Sequence, residues 1–294
     1  MFELIGIPPQ AFFGQVMLGL INGAFYAMLS LGLALIFGLL RIINFAHGAL
    51  YMIGAFVAWL ILQYSGIGYW GALIVAPIVV GALGIAIEVL FIRRLYELDH
   101  LYSLLFTFGL ALVLEGLFRE FFGSTAHPYP IPAELTGVQN LGLMFLPIYR
   151  GWVVVASIVV CLLTWFLLER TRLGSYLRAA TENAPLLQTF GVNVPRMVTL
   201  TYGFGVGLAG LAGVLAAPIY QVKPTMGADL MIVVFAVVVI GGMGSIGGAI
   251  FTGFLLGVVE GLTKVFYPEA STTVIFVVMA LVLLMKPAGL FGKA

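Results

Sequence analysis

Long apolar runs, broken only by short polar intervals, recur through this chain from Phe12 to Met285. A bilayer core about 30 Å thick needs roughly 20 apolar residues in a helix to cross it. Within that core each backbone N–H and C=O must be satisfied inside the protein, so helices and closed barrels are the only spanning forms. Hydrophobic residues make up 62% of the chain and charged residues 9%, against roughly 25% charged in a soluble domain. The expected fold is therefore all-α, a polytopic membrane helical bundle in one domain over 1–294. The net charge of +1 offers nothing to nucleic acid. The single Cys161 lies in an apolar run, which rules out a disulfide framework or a Cys metal site.

Taken in order, the candidate spans are Phe12–Leu40, Ala49–Gln63, Tyr69–Ile92, Leu101–Phe118, Trp152–Leu168 and Val198–Ala217. Two shorter runs follow, Leu230–Ile240 and Ala249–Leu262, and Thr272–Met285 closes the series. Counting the short runs separately gives nine segments, or about eight to nine spans, since the first is long enough to be broken. A short charged loop, Glu97–His100, joins the third and fourth. The interval 119–150 holds Pro128, Pro130, Pro132 and Pro147 and is expected to be an ordered external cap. Met1–Gln10 has no Lys or Arg, so the basic start of a cleavable signal is missing and the first span should direct insertion.

Basic residues give the orientation. If the polar interval 169–197 is cytoplasmic and the spans alternate, the inside holds Arg41, Arg93, Arg94, Arg170, Arg172, Arg178, Arg196, Lys286 and Lys293. The outside holds Arg119, Arg150, Lys223 and Lys264, so nine of the 13 basic residues lie inside against four outside. This obeys the positive-inside rule with the N-terminus outside and the C-terminus cytoplasmic.

That interval, Glu169–Arg196, is the longest polar stretch, and it encodes a short helix of its own. Asn183 suits an N-cap, Pro185 a position where a missing N–H costs nothing, and Gly191 a left-handed C-terminal stop. Leu186, Leu187 and Phe190 would then form one compact apolar face. Two readings fit: a helix lying on the membrane surface, or one offered to a soluble partner.

Other polar groups are sparse. Asn22, Tyr26 and Ser30 recur at i, i+4 and i+8 on the first span, with Asn44 and His47 beyond its inner end. In lipid they would be costly, so they should line or support a pathway, or act as interhelical hydrogen-bonding glue. Gly242-x-Gly244-x-x-Gly247 after a strand-like apolar run mimics a dinucleotide fingerprint. No alternation of strand and helix surrounds it, so a hinged pair of membrane helices is the better reading, with Gly242 and Gly244 candidates for the pathway. Gly203, Gly207, Gly210 and Gly213 form a small-residue ridge suited to close packing. Glu115/Arg119 and Glu260/Lys264 are i,i+4 pairs that neutralise one another, whereas Glu88 is less obviously paired and stays a functional candidate.

These stretches also carry a family resemblance. Arg178-Ala179-Ala180-Thr181-Glu182-Asn183 and Gly191-Val192-Asn193 resemble the coupling loop of the branched-chain amino acid permeases of ABC importers, although Pro185 and Leu187 depart from the usual pattern. Ile43-Asn44-Phe45-Ala46-His47-Gly48, then Tyr51-Met52-Ile53-Gly54, resembles the hallmark of the shorter permease subunit of Liv-type importers. The runs Gly207–Gly213 and Gly241–Ser245 are similar to the same family, in the same order. The resemblance implies a non-enzymatic permease of the bacterial inner membrane that imports branched-chain or other neutral amino acids. It implies a heterodimer with a related permease, two cytoplasmic ATPases that bind ATP and Mg, a periplasmic binding protein, and no cofactor in this chain. Arg178, Ala180, Glu182, Asn183, Leu186, Leu187, Phe190 and Gly191 would couple to the ATPases. Urea, small amides or aromatic acids are alternative cargoes. An ion-coupled secondary transporter is the rival from another class, but it would want mid-span ionisable residues and an internal repeat, and neither is evident here.

Overall fold

A computed structural model describes residues 8–40, 42–96, 98–140, 142 and 144–292. Arg41 and Lys293 of the charge count, and Glu97 of the short loop, lie outside the described residues. The described chain forms ten α-helices: α1 Pro9–Leu40, α2 Ala46–Ser65, α3 Tyr69–Leu90, α4 His100–Phe122, α5 Ile148–Arg170, α6 Arg172–Thr189, α7 Val194–Tyr220, α8 Met226–Gly241, α9 Ile246–Phe266 and α10 Thr273–Met285. Seven of them, all but α6, α8 and α10, are long and apolar enough to cross a membrane. The protein is a polytopic helical membrane protein.

The nine apolar segments of the sequence correspond to the nine helices other than α6. The first is a single unbroken helix of 32 residues, about 48 Å at the usual helical rise. The strand-like run Met231–Ile240 is helical and lies within α8, with Met231, Val234, Val237, Val238 and Ile240 buried and Ile232 exposed. The segment after α4 contains the short strands β1 Val138–Asn140 and β2 Phe145–Pro147, paired antiparallel with Gln139 opposite Leu146. His127 pairs with Val222 across this same end, through reciprocal backbone hydrogen bonds of 2.8 and 2.9 Å.

Small residues set the packing. The ridge on α7 meets α3, where Gly203 lies against Gly81, Gly207 against Pro77 and Gly210 against Val80. Gly213 packs against the backbone of Tyr51 on α2. A second ridge, not singled out in the sequence, brings Gly19 and Gly23 of α1 against Gly253, Gly257 and Gly261 of α9. A Cβ on Gly257 would lie 2.3 Å from the Gly19 carbonyl oxygen, so only glycine permits this approach. The resulting core centres on α1, α2 and α7, while α4 packs at the margin with most of its apolar surface exposed.

The two ends of the bundle differ in charge. Arg93, Arg94, Arg170, Arg172, Arg178, Arg196 and Lys286 gather at the end that carries α6. Arg119, Arg150, Lys223 and Lys264 lie at the opposite end, with the hairpin.

Candidate functional site

The polar interval folds as one helical segment, α6, interrupted at Asn183. Pro185 supplies no N–H to the carbonyl four residues back and its ring crowds that carbonyl, which disfavours a continuous helix here. The helix breaks there, with Asn183 at φ −152°, ψ 87°. It restarts under a cap, since Asn183 Oδ1 accepts the Leu186 N–H at 2.9 Å. Gly191 ends it at φ 82°, with its N–H donated to the Gln188 carbonyl at 2.9 Å. Two residues on, Asn193 Oδ1 accepts the Arg196 N–H at 3.0 Å and caps α7. Caps of this kind contribute about 1 kcal/mol each, so the turn between α6 and α7 is well defined.

The apolar face of this helix is divided, not compact. Leu187 is buried in a cluster with Leu35, Leu168, Leu177, Val194 and Met197, and so belongs to the protein's own packing. Leu186 and Phe190 point outward and are 54% and 76% exposed. On a two-turn helix Leu186 and Phe190 share a side at i, i+4, whereas Leu187 is rotated by about 100°. Arg178 also serves the chain itself, because its guanidinium donates to the Leu168 carbonyl at 3.0 Å and to Glu169 at 3.2 Å. Ala180 is half-buried and Glu182 exposed.

Each polar side chain expected along a pathway makes at least one hydrogen bond inside the protein, while Asn44 Oδ1 and His47 Nδ1 are buried without a partner. Tyr26 donates to Glu260 of α9 at 2.7 Å, and Asn22 Nδ2 lies 3.5 Å from the same carboxylate. Tyr220 at the end of α7 donates to Asn22 Oδ1 at 2.7 Å. Ser30 donates to the Ala27 and Ala249 carbonyls. Asn44 donates to the Tyr202 hydroxyl at 2.9 Å, and His47 Nε2 donates to the Leu29 carbonyl at 3.1 Å. Ser30, Asn44 and His47 have no exposed surface in this arrangement. Gly242 and Gly244, at φ 98° and 85°, make the tight turn between α8 and α9. Gly242 is covered by Gly289 and Gly292, and Gly244 abuts Gly38.

Glu88 is the residue that spacing alone misplaces. It is wholly buried and paired with Arg93 at 3.1 Å. Tyr96 donates to it at 2.7 Å and Thr199 of α7 at 2.8 Å. Arg93 also donates to the Thr199 hydroxyl at 2.6 Å. The pairing is i,i+5 because α3 stops at Leu90 and a short 3₁₀ turn, Ile92–Leu95, swings Arg93 back. Hydrogen bonding to Glu88 raises the Arg93 pKa, and burial followed by the Glu88 hydrogen bond raises that of Tyr96. Both groups therefore stay donors. Arg93, Tyr96 and Thr199 carried no sequence signal of this role.

The expected i,i+4 pairs are present, Glu115 with Arg119 at 2.6 Å and Glu260 with Lys264. Among the described residues no three His, Cys, Asp or Glu side chains converge as metal ligands. An open cavity of about 410 Å³ lies between the first turns of α1 and the hairpin, with Arg150 on its wall.

Comparison with known proteins places this architecture. Residues 15–283 match the family described as branched-chain amino acid transport system, permease component. The chain is 31% identical to the high-affinity branched-chain amino acid transport system permease protein LivH of Escherichia coli K12, over 96% of each chain. It is 30% identical to the corresponding protein BraD of Pseudomonas aeruginosa, over 95% of each. It is 27% identical to the permease protein LivM of E. coli K12, covering 90% of this chain but 67% of that one. No solved structure matches.

Proposed function

The chain belongs to the branched-chain amino acid permease family of ABC importers, and from that premise we propose that it is the shorter permease subunit of an importer for branched-chain aliphatic amino acids. The observation that carries the reading is the division of α6. One side of the helix is anchored in the bundle by Leu187. The other presents Leu186 and Phe190 to solvent on a rigidly capped turn. Helix-in-groove docking uses apolar anchors at this i, i+4 spacing. The partner is an ATPase subunit, and the end bearing α6 and most of the basic residues is cytoplasmic. The bundle does no covalent chemistry. A second, related permease completes the translocation unit, two ATPases bind ATP and Mg, and a binding protein delivers substrate to the hairpin end. The location is the bacterial inner membrane.

The two buried carboxylates speak against an ion-coupled carrier. Glu88 and Glu260 each hold a basic residue and a hydroxyl, an arrangement that neutralises charge and leaves no acid free to relay an ion. The test is leucine uptake in proteoliposomes containing the permease pair, the ATPases and the binding protein. Uptake should require ATP and stop with a hydrolysis-dead ATPase. Uptake driven by an ion gradient without ATP would overturn the reading.

A further inference from the structure

We infer that the Glu88 cluster is the strut through which α6 moves α3, and that Glu88 is a positioning residue for coupled transport. The inference rests on the coupling role proposed for α6.

Thr199 stands in the second turn of α7, just beyond the Asn193 cap and the Gly191 stop that join α6 to α7. Leu187 of α6 presses on that region from one side, through Val194 and Met197. Glu88 holds it from the other, at 2.8 Å from the Thr199 hydroxyl. That hydroxyl also lies 2.9 Å from the Pro195 carbonyl, in the first turn of α7. The start of α7 is thus clamped between the docking helix and the end of α3.

An apolar contact at this point could slide. Hydrogen bonds to an ionised group are directional and roughly twice as strong as neutral ones, and here three donors from two chain segments converge on one buried carboxylate. Beyond the clamp, α3 and α7 stay in close register through Gly81 against Gly203 and Pro77 against Gly207. Their backbones pack directly on one another there. A displacement of Leu186 and Phe190 would therefore carry α7 and α3 together toward mid-membrane.

The experiment measures ATP hydrolysis and leucine uptake on one preparation, the complete complex with its ATPases and binding protein in proteoliposomes. Glu88→Gln turns an acceptor facing Arg93 and Thr199 into a donor, while Thr199→Val removes only the hydroxyl. Both variants should insert, assemble and hydrolyse ATP, with leucine moved per ATP lowered about fivefold or more for Glu88→Gln and less for Thr199→Val. Where Glu88→Gln fails to accumulate, the Thr199→Val ratio decides. A wild-type ratio in the variants would overturn the strut and leave the permease reading intact. So would losses of uptake and hydrolysis in equal proportion, which mark a merely structural role. Wild-type particles that hydrolyse ATP without moving leucine would overturn the permease reading, and the strut with it.

Discussion

Tyr26 on α1 donates its phenolic hydrogen to Glu260 on α9 at 2.7 Å, in the middle of a backbone contact that glycines make unusually close. Lys264 and Asn22 complete the shell of that carboxylate, and Tyr220 brings α7 into it through Asn22. Three helices are tied at the end opposite α6. Asn22 and Tyr26 of the α1 stripe thus serve a buried charge, which without partners would cost several kcal/mol.

Tyr26→Phe should accordingly act on stability first. It removes one hydrogen bond to an ionised group, worth about 1.5–3 kcal/mol, and leaves Glu260 with Lys264 and Asn22. Thermal unfolding of the purified protein in detergent should shift downward, while uptake per folded molecule stays near wild type. A large fall in uptake with unchanged unfolding would instead return Tyr26 to the substrate path.

The split face of α6 makes adjacent leucines behave differently. Leu186→Asp or Phe190→Asp places a charge on an exposed position, so the protein should insert and unfold normally but lose its ATPase partner on co-purification. Leu187→Asp puts the same charge into the cluster around Leu168 and Met197, a burial costing several kcal/mol. It should lower the amount of folded protein before any partner is added. Equal behaviour of Leu186→Asp and Leu187→Asp would refute the division.

Much of this was legible in the chain because the signals are local. Apolar length marked nine apolar helices, seven of them long enough to cross a membrane, and the Asn183, Pro185 and Gly191 spacing marked a capped helix whose geometry is as expected. The groups that spacing misjudged depend on distant partners. Glu88 finds Thr199 more than a hundred positions away and Arg93 through a non-helical turn. Leu187 parts from Leu186 only because α5 and α7 lie beneath one side of the helix. Asn22, Tyr26 and Asn44 find partners on distant helices, and nothing local says whether such a group faces a path or another helix.

Orientation can be checked independently of transport. Cys161 is buried, and Cys161→Ala should give a silent background. Ser175→Cys on α6 and Ala133→Cys near the hairpin are both at exposed positions. An impermeant maleimide on intact cells should label position 133 alone, and position 175 only after permeabilisation. Labelling of both from one side would overturn the assigned topology.

Glycine substitutions should separate close packing from helix propensity. A methyl group at Gly257 would meet the Gly19 carbonyl and the Gly23 Cα, each 2.3 Å away, and both are backbone atoms that cannot rotate aside. The helices must therefore part, which costs about 1–3 kcal/mol as overpacking. That movement would also stretch the Tyr26–Glu260 hydrogen bond, because Glu260 follows one turn later on α9. Gly116 on α4 provides the control, since nothing lies within 4 Å of its hypothetical Cβ. There alanine should be neutral or gain up to about 1 kcal/mol from helix propensity. Unfolding temperatures of Gly257→Ala and Gly116→Ala should thus move apart, the first clearly downward. Combining Gly257→Ala with Tyr26→Phe should cost less than the sum of the two single changes, because the first already weakens what the second removes. Strict additivity would show that the glycine contact and the buried carboxylate are independent.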